Sequence, residues 1–78
     1  MLELYANTGC PYCQKVMAKL NDLGVDFIFR SHSFTDGENA RSFKIGGKTQ
    51  VPFLVDAEKG VQMYESSDII AYLEENYS

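Results

Sequence analysis

The chain has only two cysteines and a single histidine, and its 7 Lys and Arg are outnumbered by 11 Asp and Glu. Each shortage excludes something. Two cysteines cannot build a disulfide scaffold. With one imidazole, at His32, a tetrahedral zinc site would have to be completed by carboxylates, so no metal is expected. A formal charge of −4 without a clustered basic face argues against nucleic acid as a partner, because neutralising phosphates needs such a face. No apolar run approaches the ~20 residues that cross a bilayer, so no membrane partner is expected either. Met1-Leu2-Glu3-Leu4-Tyr5 lacks the basic and extended apolar regions of a signal peptide, which makes a reducing, cytoplasmic compartment the expectation. No repeat, low-complexity tract or linker divides the sequence, so residues 1–78 read as one domain and a monomer. A chain this short buries only roughly 60–65% of the surface its unfolded form exposes, and its function is expected in one local site.

What is present is an alternation of periods. Leu2-Glu3-Leu4-Tyr5-Ala6 reads as a short strand, followed by turn chemistry in Asn7-Thr8-Gly9. From Pro11 the period becomes helical, with Cys13, Val16, Met17 and Leu20 on one face and Gly24 as the stop. Val25 to Arg30 is rich in β-branched and aromatic residues and reads as a second strand. After the break at Ser33–Gly37, a short helix is expected over Glu38–Ile45, with Ala40, Phe43 and the stem of Lys44 facing inward. Val51–Val55 is a strand with a proline near its start, and Asp56–Gly60 turns it into Val61–Tyr64. A last helix runs from Ser66 to about Asn76, with Ser66 or Ser67 as its cap. The order β-α-β-α-β-β-α predicts an α/β fold. A right-handed parallel β-α-β unit and an antiparallel hairpin would form a mixed sheet of about four strands flanked by three helices.

Chemistry points to Cys10-Pro11-Tyr12-Cys13. Two intervening residues at a helix start bring both sulfurs within disulfide range but give them different surroundings. Cys10 lies beyond the carboxyl end of the first strand, where free helix N–H groups favour an anion, so it is the expected, exposed nucleophile. Cys13, one turn in and facing the core, suits a resolving thiol. A lone cysteine is often a small buried hydrophobe, and paired cysteines sometimes hold half a zinc site, but the spacing after a strand favours a redox pair.

At these residues the sequence resembles a dithiol glutaredoxin, a thioredoxin-like fold that uses glutathione. Gln50-Val51-Pro52 resembles the turn that carries a cis-proline in that fold, with an ordinary trans-proline at a strand edge as the other reading. Tyr64-Glu65-Ser66-Ser67-Asp68-Ile69 resembles the segment with which glutathione transferase N-terminal domains, and transferase-like bacterial glutaredoxins, hold the γ-glutamyl end of glutathione. On residues alone, Glu65 and Ser66 are equally a solvated acid and a helix cap. The resemblance implies glutathione as co-substrate, with Val51 pairing with the peptide backbone, Pro52 shaping that turn, Gln50 hydrogen-bonding it and Tyr12 packing beside it. Glu65 would answer the ammonium and Ser66 the carboxylate, and Lys48 would be a contact for the glycine carboxylate or simply a solvated loop lysine.

Two departures qualify the resemblance. Asn7 stands where many glutaredoxins have a lysine, so Cys10 must rely on helix N–H groups. The double-glycine, double-aspartate pattern of small glutaredoxins is also missing, while transferases add an all-helical second domain after the point reached by Ser78. The expected function is glutathione-dependent reduction of protein disulfides or glutathionylated clients through Cys10 and Cys13. The alternatives are a thioredoxin-like electron donor reduced by a flavoprotein, or a freestanding glutathione-binding domain. His32 lies outside every motif and reads as surface decoration.

Overall fold

A computed structural model describes Met1–Ser78. Strand β1 (Leu2–Ala6) occupies the interior of a four-stranded sheet of order β2-β1-β3-β4, pairing in parallel with β2 (Phe27–Ser31) and antiparallel with β3 (Phe53–Asp56). β4 (Val61–Met63) completes the antiparallel edge, with Leu54 opposite Met63. The three helices are α1 (Pro11–Asp22), α2 (Arg41–Gly46) and α3 (Ser66–Tyr77). This is the mixed α/β sheet expected from the order of periods, and the thioredoxin-like fold that the resemblance implies.

Alternation along β1 assigns the two faces. Leu2, Leu4 and Ala6 join Leu54 beneath α1 and α3, which contribute Cys13, Val16, Leu20, Ile69 and Leu73 to one core. Each such fully buried aliphatic side chain stabilises the domain by ~1.5–3 kcal/mol. Lys19 Nζ and Glu74 Oε2, 3.2 Å apart, link the two helices at their far ends. On the other face Phe53 packs against Tyr5 in a tilted arrangement, at 5.8 Å between ring centroids, and stacks on Tyr64 at 4.4 Å, while the Tyr64 hydroxyl lies against the Ser42 and Lys48 carbonyls.

Several boundaries differ from the expected ones, each for a local reason. Val25 belongs to the end of α1 and not to β2: the Gly24 N–H donates to Asn21 O and the Val25 N–H to Leu20 O, a Schellman stop built on Gly24 at φ 66°. The helix expected over Glu38–Ile45 is broken at Ala40, whose extended backbone (ψ 143°) separates a 3₁₀ turn at Gly37–Asn39 from α2. Ala40 and Ser42 are buried, whereas Lys44 is exposed. β3 begins only at Phe53, after the Val51–Pro52 bond, which is cis.

His32 is also corrected. It is 5% exposed, its ring Nδ1 faces Ser42 Oγ at 3.3 Å, and its carbonyl accepts from Asn7 Nδ2 at 2.9 Å. It joins the first loop to the end of β2 and does not decorate the surface.

Gly46 is required for packing. A Cβ there would collide with the Tyr64 ring and hydroxyl, held by stacking on Phe53. Gly46→Ala is expected to cost about 1–3 kcal/mol through overpacking, read as a lower urea midpoint. An unchanged midpoint would show that Tyr64 relaxes freely.

Candidate functional site

The loop between β1 and α1 is held by its own polar groups. Asn7 Oδ1 accepts from the Gly9 N–H at 2.8 Å, the Cys10 N–H donates to Asn7 O at 3.0 Å, and Gln14 Nε2 returns to Thr8 O at 2.7 Å. Asn7, which stands where a lysine would supply a cation, is thus the residue that shapes the turn. The loop delivers Cys10 as the N-cap of α1, with Pro11 in the first turn, where an absent N–H costs nothing. Cys10 Sγ accepts from the Cys13 N–H at 3.3 Å, so the sulfur takes one of the orphan helix donors. Cys10 is 8% exposed and Cys13 fully buried. The expected exposure of Cys10 is therefore corrected: only a small part of the residue meets solvent, because the capping geometry turns the sulfur back toward the helix.

Beside this corner lies a cavity of about 470 Å³, lined by Tyr12, Lys15, Gln50, Val51, Pro52, Glu65, Ser66 and Ser67. Three separate segments meet there. The Val51 backbone N–H and C=O have no hydrogen-bond partner within the chain. Glu65 precedes α3 at φ 68° and ψ 115°, a left-handed conformation unusual for a residue with a side chain. Its Oε1 accepts from Gln50 Nε2 at 3.0 Å across the cavity. Strain of this kind tends to mark a working site. Neither Ser66 nor Ser67 caps α3. The N-cap is Glu65, without a side-chain cap bond, so the first N–H groups of the helix are left uncapped beside the cavity.

Residues 4–78 match the glutathione S-transferase N-terminal domain family. The chain belongs to that family. As a transferase-type N-terminal domain it is similar to a glutathione S-transferase of the Antarctic clam Laternula elliptica, with 31% identity, a TM-score of 0.82, and coverage of 97% of this chain and 35% of that one. A delta-class glutathione transferase of Nilaparvata lugens superposes with a TM-score of 0.87 at 26% identity, covering 100% of this chain and 37% of that one. Glutaredoxin 2 of Salmonella typhimurium, solved in complex with glutathione, shares the fold, with a TM-score of 0.84 at 23% identity over 95% of this chain and 33% of that one. The chain spans about a third of the length of each of these proteins. No curated protein sequence matches it.

Within this transferase-type domain Cys13 is the more deeply buried thiol. Burial pushes the Cys13 thiol up to about 12, and the adjoining Cys10 sulfur adds to the effect against a lowering contribution from the Asn7 backbone. Cys13 is therefore protonated at neutral pH. Of the residues expected to contact a ligand, Tyr12, Gln50, Val51, Pro52, Glu65 and Ser66 all line the cavity, whereas Cys10 is not among its lining residues. Lys48 does not join them. Its ammonium sits over the Tyr64 ring, 5.4 Å from the centroid, and its amide donates to the Tyr64 hydroxyl.

Two lining residues, Lys15 and Ser67, were not anticipated. Lys15 had a weak signal: it follows Tyr12 by three positions, away from the buried stripe of α1. The Gln50–Glu65 bond had none, because nothing local connects residues fifteen apart. No group of three or more His, Cys, Asp or Glu is placed to hold a metal ion.

Proposed function

We propose that the domain is a glutathione-dependent thiol–disulfide oxidoreductase of glutaredoxin type, acting in a reducing, cytoplasmic compartment as a single monomeric unit. One observation carries the reading: Cys10 caps α1 with its sulfur on the Cys13 N–H, and Tyr12 of the same first turn lines a cavity whose wall also offers the unpaired backbone of Val51. A glutathione cysteinyl unit paired with Val51 as a short added strand has its sulfur directed toward Cys10. Glu65, preset by Gln50, answers the ligand's ammonium. The carboxylate meets the open N–H groups of α3 and the Ser66 hydroxyl.

In the chemical step the Cys10 thiolate attacks the glutathionyl sulfur of a mixed disulfide. The S–S bond breaks, the client leaves as a thiolate that takes up a proton, and Cys10 holds glutathione. A second glutathione then attacks the glutathionyl sulfur, releasing oxidised glutathione and restoring the Cys10 thiolate. Alternatively Cys13 loses its proton and attacks Cys10, releasing glutathione and closing a Cys10–Cys13 disulfide.

A second reading has its own support. The family is that of transferase N-terminal domains, and the chain spans about a third of its structural relatives, so a glutathione-binding unit of a larger transferase is the competing function. Titration of the reduced protein with glutathione, followed by amide NMR, is expected to shift Val51, Glu65 and Ser66. Oxidised protein should be reduced by glutathione at a catalytically useful rate. Shifts without reduction would favour the binding unit. Reduction by a flavoprotein reductase without shifts would favour a thioredoxin-like donor.

A further inference from the structure

Of the 7 Lys and Arg in the chain, Lys15 alone is among the residues that line the cavity. It is also free of carboxylates, whereas Lys19 pairs with Glu74 and Arg30 with Glu3. Its ammonium lies 5.6 Å from the centroid of the Tyr12 ring, and Tyr12 is 60% exposed, two positions after Cys10. The cation is thus parked on an aromatic surface next to the reactive corner, in a protein of net charge −4 whose cavity also holds Glu65. A second substrate bearing a negative charge meets repulsion from the protein as a whole and attraction at this one place. The glutathione groups assigned above use Gln50, Val51, Glu65 and Ser66, and leave Lys15 without a role.

We propose that Lys15, seated over Tyr12, is a specificity residue for the group that shares a disulfide with glutathione, and that it selects partners carrying a carboxylate near their sulfur. This rests on the glutathione reading of the cavity. When Cys10 attacks the glutathionyl sulfur, the partner leaves as a thiolate. The partner's carboxylate pairs with the Lys15 ammonium before and during bond breaking, so the gain falls in kcat/KM for anionic partners. Being exposed, the pair has a modest expected effect, about three- to five-fold.

The test compares wild type, Lys15→Gln, Lys15→Glu and Lys15→Arg on glutathione mixed disulfides of 3-mercaptopropionate, 2-mercaptoethanol and cysteamine, with glutathione as reductant. The ratio of kcat/KM for the anionic over the neutral compound is expected to fall about three- to five-fold in Lys15→Gln. It should fall further in Lys15→Glu, with the cysteamine compound gaining, and be restored in Lys15→Arg. Raising salt to 0.5 M should shrink the wild-type preference, as screening requires. A parallel arm measures binding of S-(2-carboxyethyl)glutathione and its neutral amide by calorimetry, which needs no redox chemistry.

Equal loss on all three disulfides would overturn the proposal by making Lys15 a contact for glutathione itself, and unchanged ratios would reduce it to a solvated lysine. If no disulfide is reduced but the carboxylate conjugate still binds better in a Lys15-dependent way, the specificity site stands and the oxidoreductase reading falls. If neither conjugate binds, both fall.

Discussion

Cys10→Ser is expected to lower glutathione-coupled reduction of a small mixed disulfide by roughly a thousandfold or more, to the uncatalysed background, because a hydroxyl at the same helix cap supplies no thiolate. Cys13→Ser is expected to retain most of that activity. The reason lies in the asymmetry of the pair. Cys10 holds the Cys13 N–H at 3.3 Å, whereas burial keeps the Cys13 thiol protonated, with a pKa of about 12. Burial, the largest cause, still disfavours the Cys13 thiolate once Cys10 carries glutathione, so glutathione from solution should resolve the Cys10 intermediate first. Protein disulfides, which need both thiols, should by contrast lose activity in both variants. Coupled assays with glutathione reductase read all four cases. Full activity in Cys10→Ser would sink the nucleophile assignment, and loss of small-substrate activity in Cys13→Ser would make the mechanism strictly dithiol.

The second large effect lies away from the cavity. Asp56, at the end of β3, is fully buried, and its Oδ2 accepts hydrogen bonds from the Tyr72 and Tyr77 hydroxyls at 2.7 and 2.6 Å. These bonds tie the last two turns of α3 to the sheet. Burial works against the charged carboxylate, yet the bonds from Tyr77 and Tyr72, backed by the Lys59 amide and ammonium, outweigh it and hold the Asp56 carboxyl below its ordinary value of 3.8. Oδ1 has no partner, so the site is not fully satisfied. Asp56→Ala would strand both hydroxyls and is expected to cost about 3 kcal/mol. For a domain of this size that lowers Tm by about 12–24 °C, measurable by circular dichroism. Tyr77→Phe, which keeps the ring, should cost only about 1–1.5 kcal/mol. A loss below about 1 kcal/mol for Asp56→Ala would show that the cluster is no anchor.

The same cluster sets both ends of the pH range. Because the folded Asp56 value is depressed, its contribution is fully present above the ordinary 3.8 and is lost as pH falls through the lower folded value. Tyr77 is raised to about 12, by its bond to Asp56 first and burial second, and Tyr72 is raised as well, by burial first. For these acids the folded state favours the neutral form. That stability is present below the ordinary value of 10.0 and is lost as pH rises through the folded values. Wild type should therefore show a stability plateau between the two limits, and Asp56→Ala should flatten both edges.

Elements set by one local pattern are legible in the sequence. The alternation of Leu2, Leu4 and Ala6, the stripe of Cys13, Val16 and Leu20, and the Gly24 stop each act within a few residues, and the four-stranded mixed sheet with helices on both faces follows from their order. The site residues Gln50, Val51, Pro52, Glu65 and Ser66 were legible through resemblance to a family, since no periodicity marks them. A residue whose surroundings are set by a distant segment is not legible in this way. His32 is buried because Asn7 and Ser42, far along the chain, give its polar atoms partners. Lys48 follows the solvated-lysine reading: it is exposed outside the cavity, with its ammonium over the Tyr64 ring.

Sequence by itself determined the thiol pair, its seat at a helix start and the succession of strands and helices around it, because capping, turn and period-two signals act over a few bonds. Only the tertiary structure decided that Cys13 is fully buried, that Gln50 presets Glu65 and that Lys15 is the cavity's cation. Burial, desolvation and hydrogen bonding between distant segments depend on which surfaces meet across the sheet, and that meeting exists only once the chain has folded.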